Sequence, residues 1–305
     1  MLRCIVNGVP GARIYGQRSG ICFRITIQSI IATAHNHCTY TYCQKRLFHN
    51  LIYIVLSLSC KSFAATLMSK VLYRCGMKSL LLLHGALGSG AQFSKLNLLL
   101  GDFFDVHILT LPGHGGTAGD DFSIPGFARF VQDHIEEKGL DQPAVFGYSM
   151  GGYVALHLAS QNPGLFGSAC TLATKFEWDE TIAAKEVRML NPEVMEAKVP
   201  LFAAELAERH QPSDWKEVVR QTANLLEGLG RNNLLTADAF AAISIPVLVM
   251  LGDKDRMVSL DETVTAAKAL PAGQLAVLPN TQHPWEAVDP QLVAYLLKRF
   301  IQPLP

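Results

Sequence analysis

The chain of 305 residues is long enough to bury a sizeable hydrophobic core in one large α/β domain or two smaller domains. Its 26 Lys and Arg residues are balanced by 26 Asp and Glu residues, so the formal net charge is zero. This balance argues against nucleic acid or an anionic membrane surface as the main partner.

Charge and cysteine are unevenly distributed along the chain. Residues 1–76 contain nine Lys or Arg, no Asp or Glu, and six of the seven cysteines. We expect this basic, Cys-rich extension to be disordered, to be a leader, or to be upstream sequence translated from a start placed before Met68 or Met77. Its apolar run over 51–58 is too short to span a bilayer. The rest of the chain contains only Cys170, which favours a reduced, cytoplasmic protein.

From Met77 onward, short apolar runs alternate with segments of helical periodicity. The expected elements are strands over 80–83 and 104–110, and helices over 91–100 and from Ser123 to Lys138. Ser123 is the expected N-cap of the second helix, and Gly139 its expected end. This alternation predicts a mostly parallel sheet covered by helices on both faces.

The most informative stretch is Gly-Tyr-Ser-Met-Gly at 147–151, which follows an apolar run over 143–147 and precedes a helical pattern over 150–160. In this context the motif predicts a nucleophile elbow, a sharp strand-to-helix turn that exposes the hydroxyl of Ser149. The glycines leave room for such a strained turn. The alternative for the pentapeptide alone is an ordinary glycine-rich turn.

Residues 177–233 differ in character from the segments on either side. They contain charge-rich helical patterns without an intervening strand, which indicates a helical insertion. The expected helices cover 179–190, 192–210 and 214–229, with Asn191 and Ser213 as caps. The large apolar residues of the insertion are expected to pack within it rather than to bind a ligand. They are Leu201, Phe202, Leu206, Leu225 and Leu226.

Two loops near the C-terminus supply candidate partners for Ser149. Asp253 and Asp255 follow an apolar strand over 245–251, and His283 follows the last strand, over 274–278. A histidine could accept the serine proton, and an acid could orient the imidazole. The rival bases precede Ser149 and lie in loops where structural hydrogen bonds are expected, and they are His84 and His114.

The chain from Met77 resembles the α/β-hydrolase family. The motifs that carry this resemblance are His84-Gly85 after the first strand, Leu-Pro-Gly-His-Gly at 111–115 and the elbow at 147–152. The resemblance implies an α/β-hydrolase fold, with a mostly parallel central sheet flanked by helices. It divides the chain into a core and an inserted helical lid, with the core over 77–176 and 234–305 and the lid over 177–233.

The resemblance also implies roles for the candidate residues. Ser149, Asp255 and His283 would form the catalytic triad, with the acid at the third position after the glycine of its loop, and Asp253 would be a solvated loop residue or a salt-bridge partner. The main-chain amides that would form the oxyanion hole belong to Ala86 and Met150. The candidate substrate-binding residues are Leu87, Tyr148 and Trp285. Gln282 departs from the family pattern, which often has glycine directly before the histidine.

The activity implied by the resemblance is a serine hydrolase that cleaves an ester or related acyl bond of a small, largely apolar substrate. One alternative is a carbon–carbon bond hydrolase or a menaquinone-pathway-like lyase with the same triad. Its candidate carboxylate-binding residues are Arg129, Arg188, Arg209 and Arg220. The other alternative is a non-catalytic ligand-binding protein with this fold.

No metal-ligand spacing and no phosphate-binding or dinucleotide-binding motif in the right setting occurs in the sequence. We therefore expect no cofactor and no metal. The expected partner is a small-molecule substrate, with no nucleic acid and no stable membrane span, and no oligomeric state is predicted.

Overall fold

The fold is given by a computed structural model, which describes residues 77–119 and 121–302. The extension predicted over residues 1–76 lies outside the described residues. Within them, one sheet is formed by β1 (Ser79–Leu83), β2 (Asp105–Leu109), β3 (Ala144–Tyr148), β4 (Ser168–Leu172), β5 (Val247–Gly252) and β6 (Gly273–Leu278).

The strands of this sheet pair in parallel, in the order β2-β1-β3-β4-β5-β6. Gly147 of β3 lies opposite Leu83 of β1, and Tyr148 of β3 lies opposite Leu172 of β4. Because the carboxyl ends of parallel strands meet at one edge of a sheet, the loops that follow these strands come together there. The predicted parallel sheet is confirmed.

Helices connect and flank the strands, and they are α1 (Ser94–Leu100), α2 (Ile124–Lys138), α3 (Met150–Gln161), α4 (Glu180–Val187), α5 (Pro192–Lys198), α6 (Pro200–His210), α7 (Trp215–Arg231), α8 (Ala237–Ala242), α9 (Leu260–Ala269) and α10 (Pro290–Ile301). The predicted ends of α2 are confirmed, since the Ser123 side chain accepts from the Gly126 amide and Gly139 ends the helix at φ 60°. The helix expected over 91–100 begins instead with a separate 3-10 turn, Gly90–Phe93. None of the helices in the described ranges is long and apolar enough to cross a membrane.

The leucine run of β1 explains why the sheet is covered on both faces. Leu81 and Leu83 pack in one cluster with side chains of α2 and α3, whereas Leu80 and Leu82 pack in another with side chains of α1 and α10. Alternate residues of a strand point to opposite faces, so a continuous apolar run needs helices on both sides. Burying each leucine stabilises the fold by roughly 1.5–3 kcal/mol.

Helices α4 to α7 lie between β4 and β5 in the chain, where a helical insertion was expected. Asn191 caps α5 as predicted, because its side chain accepts from the Val194 amide. The prediction that Ser213 caps α7 is wrong: Asp214 is the N-cap, and its carboxylate accepts from the Lys216 amide. Ser and Asp are equally good caps, so the sequence offered two adjacent candidates.

The apolar residues predicted to pack within the insertion do not all do so. Leu206 is buried in a cluster with Trp215 and Val219. Leu201 was expected to be packed as well, but it is 82% exposed, so that prediction is wrong. Helical periodicity identifies an apolar face but does not say how far a neighbouring helix covers it.

Buried polar contacts tie both ends of the insertion to the core. At its start, the carboxylate of Glu262 in α9 accepts from the amides of Phe176 (2.6 Å) and Glu177 (2.9 Å). At its end, the Tyr153 hydroxyl of α3 donates to the side-chain oxygen of Asn233 (2.7 Å). The path of the chain into and out of the insertion therefore depends on two core helices.

Replacing Glu262 with alanine should lower the free energy of unfolding by roughly 1–3 kcal/mol, because the buried amide of Phe176 and the partly buried amide of Glu177 lose their acceptor. Urea unfolding followed by circular dichroism measures this change. The matched control is Glu205→Ala, since Glu205 is exposed on α6 and should contribute less than about 0.5 kcal/mol. Equal effects of the two substitutions would contradict the anchoring role of Glu262.

Candidate active site

Ser149 stands at the junction of β3 and α3 with a strained main chain. Its φ of 51° and ψ of −118° lie outside the regions that residues with a side chain normally adopt. The Ser149 amide donates to the Leu172 carbonyl at the end of β4 (2.8 Å), and the Thr174 hydroxyl donates to the Ser149 carbonyl (3.0 Å). These contacts with the neighbouring strand and loop hold the turn in place.

The two glycines of the elbow motif are needed for space. A Cβ atom at Gly147 would overlap main-chain atoms of Gly151 and Gly152. A Cβ atom at Gly151 would overlap the main-chain carbonyl of Leu83 at the end of β1. The turn can therefore close against the sheet only if both positions lack a side chain.

The structure brings Ser149, His283 and Asp255 together from three separate loops. Ser149 Oγ lies 3.4 Å from His283 Nε2, and His283 Nδ1 lies 2.8 Å from Asp255 Oδ2. Since a carboxylate only accepts, Nδ1 carries the proton, and Nε2 is left free to accept from the serine hydroxyl. The Ser149–His283 distance is at the upper limit for a hydrogen bond, and catalytic contacts of this kind tighten when a substrate binds.

Asp255 is held as an ionised acceptor. Burial of its side chain, which is 1% exposed, raises its pKa, but the hydrogen bond and attraction from His283 and the amides of Val258 and Met257 outweigh this and lower the pKa. Asp253, the other candidate acid, is exposed, and its carboxylate accepts from the Thr281 amide at 3.1 Å. The acid in contact with His283 is therefore Asp255.

The loop after β1 brings Ala86 close to the elbow. At Gly85, the residue before it, an added Cβ atom would lie 3.1 Å from the Ser149 Cβ. Ala86 and Met150 both line the cavity that contains Ser149. Met150 is the first residue of α3, so its amide is among those that lack a partner within the helix.

Tyr148 and Trp285 support the loop that carries His283. The Tyr148 hydroxyl donates to the His283 carbonyl (2.6 Å), and the Trp285 indole donates to the Gln92 carbonyl (2.8 Å). The two rings also pack against each other with centroids 5.3 Å apart. Neither residue lines the cavity at Ser149, so their expected contact with substrate stays a prediction.

Leu87 connects the loop after β1 to helix α6. Its carbonyl accepts from the Arg209 guanidinium (2.9 Å) and from His210 Nε2 (3.1 Å), and its side chain packs in the cluster of the insertion. Leu87 is not among the residues that line the cavity at Ser149. Its expected contact with substrate therefore also stays a prediction.

The rival bases His84 and His114 form structural hydrogen bonds. His84 Nε2 accepts from the Leu111 amide (2.9 Å), so its protonated Nδ1 donates to the Gly85 carbonyl (2.7 Å). Burial lowers the pKa of His84 to about 4 and that of His114 to about 3, and the positive charge that nearby histidines could carry adds to both shifts. Both rings are therefore neutral around pH 7.

A narrow cavity of about 90 Å³ lies beside Ser149. Its wall is mainly apolar and includes residues of α7, namely Leu225, Leu226 and Leu229. Leu225 and Leu226, which were expected only to pack within the insertion, thus also face the candidate site. Sequence reasoning missed Trp178, Lys175 and Glu186, which line the same cavity. The sequence offered one signal for Lys175. It comes just after the apolar run that forms β4, and residues at the carboxyl ends of parallel strands lie near the site.

The four arginines proposed to bind a carboxylate lie elsewhere, since no arginine is among the described residues that line this cavity. Arg129 pairs with Asp121 and Arg220 with Glu193. In the described part of the chain, no group of three or more His, Cys, Asp or Glu side chains is arranged to hold a metal ion.

Comparison with known proteins gives consistent matches over this region. Residues 80–294 match the model of the alpha/beta hydrolase family. The chain is 29% identical over 255 residues to a pimeloyl-[acyl-carrier protein] methyl ester esterase of Stenotrophomonas maltophilia, covering 74% of this chain and 93% of that protein.

Solved structures of similar fold include an alpha/beta hydrolase enzyme from a Medee basin deep-sea metagenome library. It superposes with a TM-score of 0.63 at 13% identity, over 75% of this chain and 91% of that one. MenH from S. aureus superposes with a TM-score of 0.62 at 17% identity, over 74% of this chain and 93% of that one. These likenesses concern the fold.

Because His84 and His114 are buried, we expect the protein to lose stability in mild acid. Their pKa values are lower in the folded protein than the ordinary 6.5, so the unfolded chain binds more protons below pH 6.5. The contribution of these neutral histidines to stability is therefore complete above pH 6.5 and is lost progressively as the pH falls towards 4. Between pH 7 and pH 5 the free energy of unfolding should fall by on the order of 2 kcal/mol for each of His84 and His114.

Urea unfolding at a series of pH values measures this dependence. The His114→Phe variant should show a smaller loss, because its ring can pack against Phe122 and Phe127 without titrating. A free energy of unfolding that is constant between pH 7 and pH 5 would contradict the assignment of neutral buried histidines.

Proposed function

The chain belongs to the α/β hydrolase family, and we propose that it is a serine hydrolase that cleaves an ester or related acyl bond of a small, largely apolar substrate. The observation that carries this proposal is the continuous contact from Ser149 through His283 to Asp255. A nucleophile, a base and a group that orients the base are the parts that acyl transfer by serine needs.

In the proposed reaction, Ser149 Oγ attacks the ester carbonyl while His283 Nε2 takes its proton. The imidazolium that forms is stabilised by Asp255, which stays ionised throughout. His283 then returns the proton to the leaving alcohol, and a water molecule releases the acyl group by the same steps. The low pKa of Asp255 supports this role, because an ionised carboxylate is what the imidazolium requires.

The amides of Ala86 and Met150 are proposed to hold the oxyanion. Their residues flank Ser149 in the cavity, one from the loop after β1 and one from the start of α3. An amide at the start of a helix has no partner within the helix and lies at the positive end of the helix dipole. Each such donor typically contributes several kcal/mol to stabilising the transition state.

The proposed substrate is a small, largely apolar ester with a short acyl chain and a small alcohol. An acyl chain of this kind fits the narrow cavity, whose wall includes leucines of α7. Methyl esters are the first choice, because the Stenotrophomonas maltophilia relative is named a methyl ester esterase. We further propose that residues 177–233 act as a lid, since their helix α7 and Trp178 form part of the cavity wall.

A fluorophosphonate probe tests the nucleophile directly. The full-length protein should form one adduct at Ser149, located by mass spectrometry of the digested protein, and Ser149→Ala should form none. Ser94→Ala is the matched control, since Ser94 is an exposed serine and its loss should leave labelling unchanged. A folded protein that is not labelled at Ser149 would contradict the proposed serine hydrolase and favour a ligand-binding role.

Two neighbouring aspartates provide a matched test of the acid. Asp255→Asn should lower kcat on a methyl ester by roughly 10³- to 10⁴-fold, because the amide stabilises the wrong tautomer and leaves the imidazolium without a counter-charge. Asp253→Asn should change kcat by less than about threefold, since its side chain contacts the Thr281 amide and not the imidazole. Steady-state kinetics compares them, and comparable losses would exclude Asp255 as the specific partner.

A further inference from the structure

The cavity beside Ser149 contains a charged pair that the proposed triad does not use. Lys175 and Glu186 both line this otherwise mainly apolar cavity, and their side chains are 17% and 11% exposed. Lys175 Nζ lies 3.7 Å from Glu186 Oε1 and 6.0 Å from the centre of the Trp178 ring. The pair is therefore a feature of the wall facing the nucleophile.

The position of Lys175 follows from the sheet. It lies in the loop after β4, the strand that pairs with β3 and ends beside the elbow. Thr174, the residue before it, donates its hydroxyl to the Ser149 carbonyl (3.0 Å). Because this contact fixes the start of the loop at the elbow, Lys175 is anchored next to the nucleophile independently of the helices of the insertion.

The ammonium group retains unused hydrogen-bonding capacity. A lysine ammonium has three N–H donors, and the distance of 3.7 Å to Glu186 exceeds the length of a hydrogen bond. Among the described residues, no side chain or carbonyl accepts a hydrogen bond from Lys175 Nζ. A partly buried cation with free donors in a cavity is suited to bind an anionic group of a ligand.

Stability alone gives little reason for this pair. Moving two charges out of water costs energy that a loosely paired geometry does not fully repay, and apolar residues of similar volume are often as stable or more so. An apolar pair would also suit the surrounding leucines. The presence of this pair in the cavity is better explained by a ligand that binds one of the two charges.

We propose that Lys175 binds a carboxylate on the acyl part of the substrate, so that the preferred substrates are monoesters of dicarboxylic acids. This inference rests on the proposed ester hydrolysis at Ser149. The ammonium donates to the distal carboxylate while the ester carbonyl lies at Ser149. Glu186 balances the ammonium in the free enzyme, and its carboxylate competes with that of the substrate.

Pairs of substrates with the same chain length test this specificity. Each pair consists of the monomethyl ester of a short linear dicarboxylic acid and the methyl ester of the corresponding monocarboxylic acid. The wild-type full-length protein should prefer the dicarboxylic member in kcat/KM. Lys175→Met should reduce the preference by roughly 10- to 100-fold, as expected for a lost charged hydrogen bond, mainly through a higher KM.

Glu186→Gln separates a ligand-binding role from a structural one. If Lys175 binds the substrate carboxylate, removing its competitor should lower KM for the dicarboxylic monoesters. If the pair only supports the fold, Lys175→Met and Glu186→Gln should both lower stability and reduce activity on both members of each pair equally. The matched control is Lys185→Met, because Lys185 is exposed on α4 and does not line the cavity at Ser149.

The outcomes distinguish this inference from the proposed function. A wild-type protein that shows no preference within the pairs, or a Lys175→Met variant that retains the preference, would overturn the role of Lys175 while fluorophosphonate labelling of Ser149 leaves the hydrolase intact. A rise in KM with Glu186→Gln would also overturn it. Loss of labelling in the wild-type protein would instead refute the proposed function on which the inference rests.

Discussion

The strained main chain at Ser149 is the constraint on which the rest of the structure depends. A positive φ at a residue with a side chain is unfavourable by about 1–3 kcal/mol and persists only when its surroundings enforce it. Here the Leu172 carbonyl at the end of β4 and the Thr174 hydroxyl in the loop after it enforce this conformation. The two glycines remove the side chains that would prevent close approach. In this geometry the serine hydroxyl stands at the carboxyl edge of the sheet.

The other groups reach Ser149 because parallel strands end at that same edge. Asp255 and His283 follow β5 and β6, strands that are far from β3 in sequence but lie on one side of it in the sheet. Tyr148 then links the elbow to the His283 loop by donating to its main-chain carbonyl. The proposed chemistry thus depends on a few main-chain contacts between loops. His84 and His210 add contacts of this kind to the main chain of Leu111, Gly115 and Leu87.

Much of this arrangement could be predicted from local sequence. The elbow glycines, the caps of α2 and the apolar runs of the strands each reflect a constraint that acts within a few residues. The choice of Asp255 over Asp253 came from a family pattern, and the contact with His283 agrees with it. Lys175 and Glu186 were missed because their contact depends on how α4 folds back towards the loop after β4. Leu201 was misjudged for a similar reason, since burial depends on neighbours that are distant in sequence.

In the proposed enzyme, the main chain around Ser149 is arranged in advance to hold an oxyanion. A crystal structure of the Ser149 adduct with a small phosphonate tests this most directly, because the phosphonyl oxygen takes the place of the oxyanion. We expect this oxygen to lie about 2.7–3.1 Å from the amide nitrogens of both Ala86 and Met150, with the loop after β1 unmoved. A phosphonyl oxygen that points away from both amides, or a loop that must rearrange to reach it, would contradict a preformed oxyanion hole.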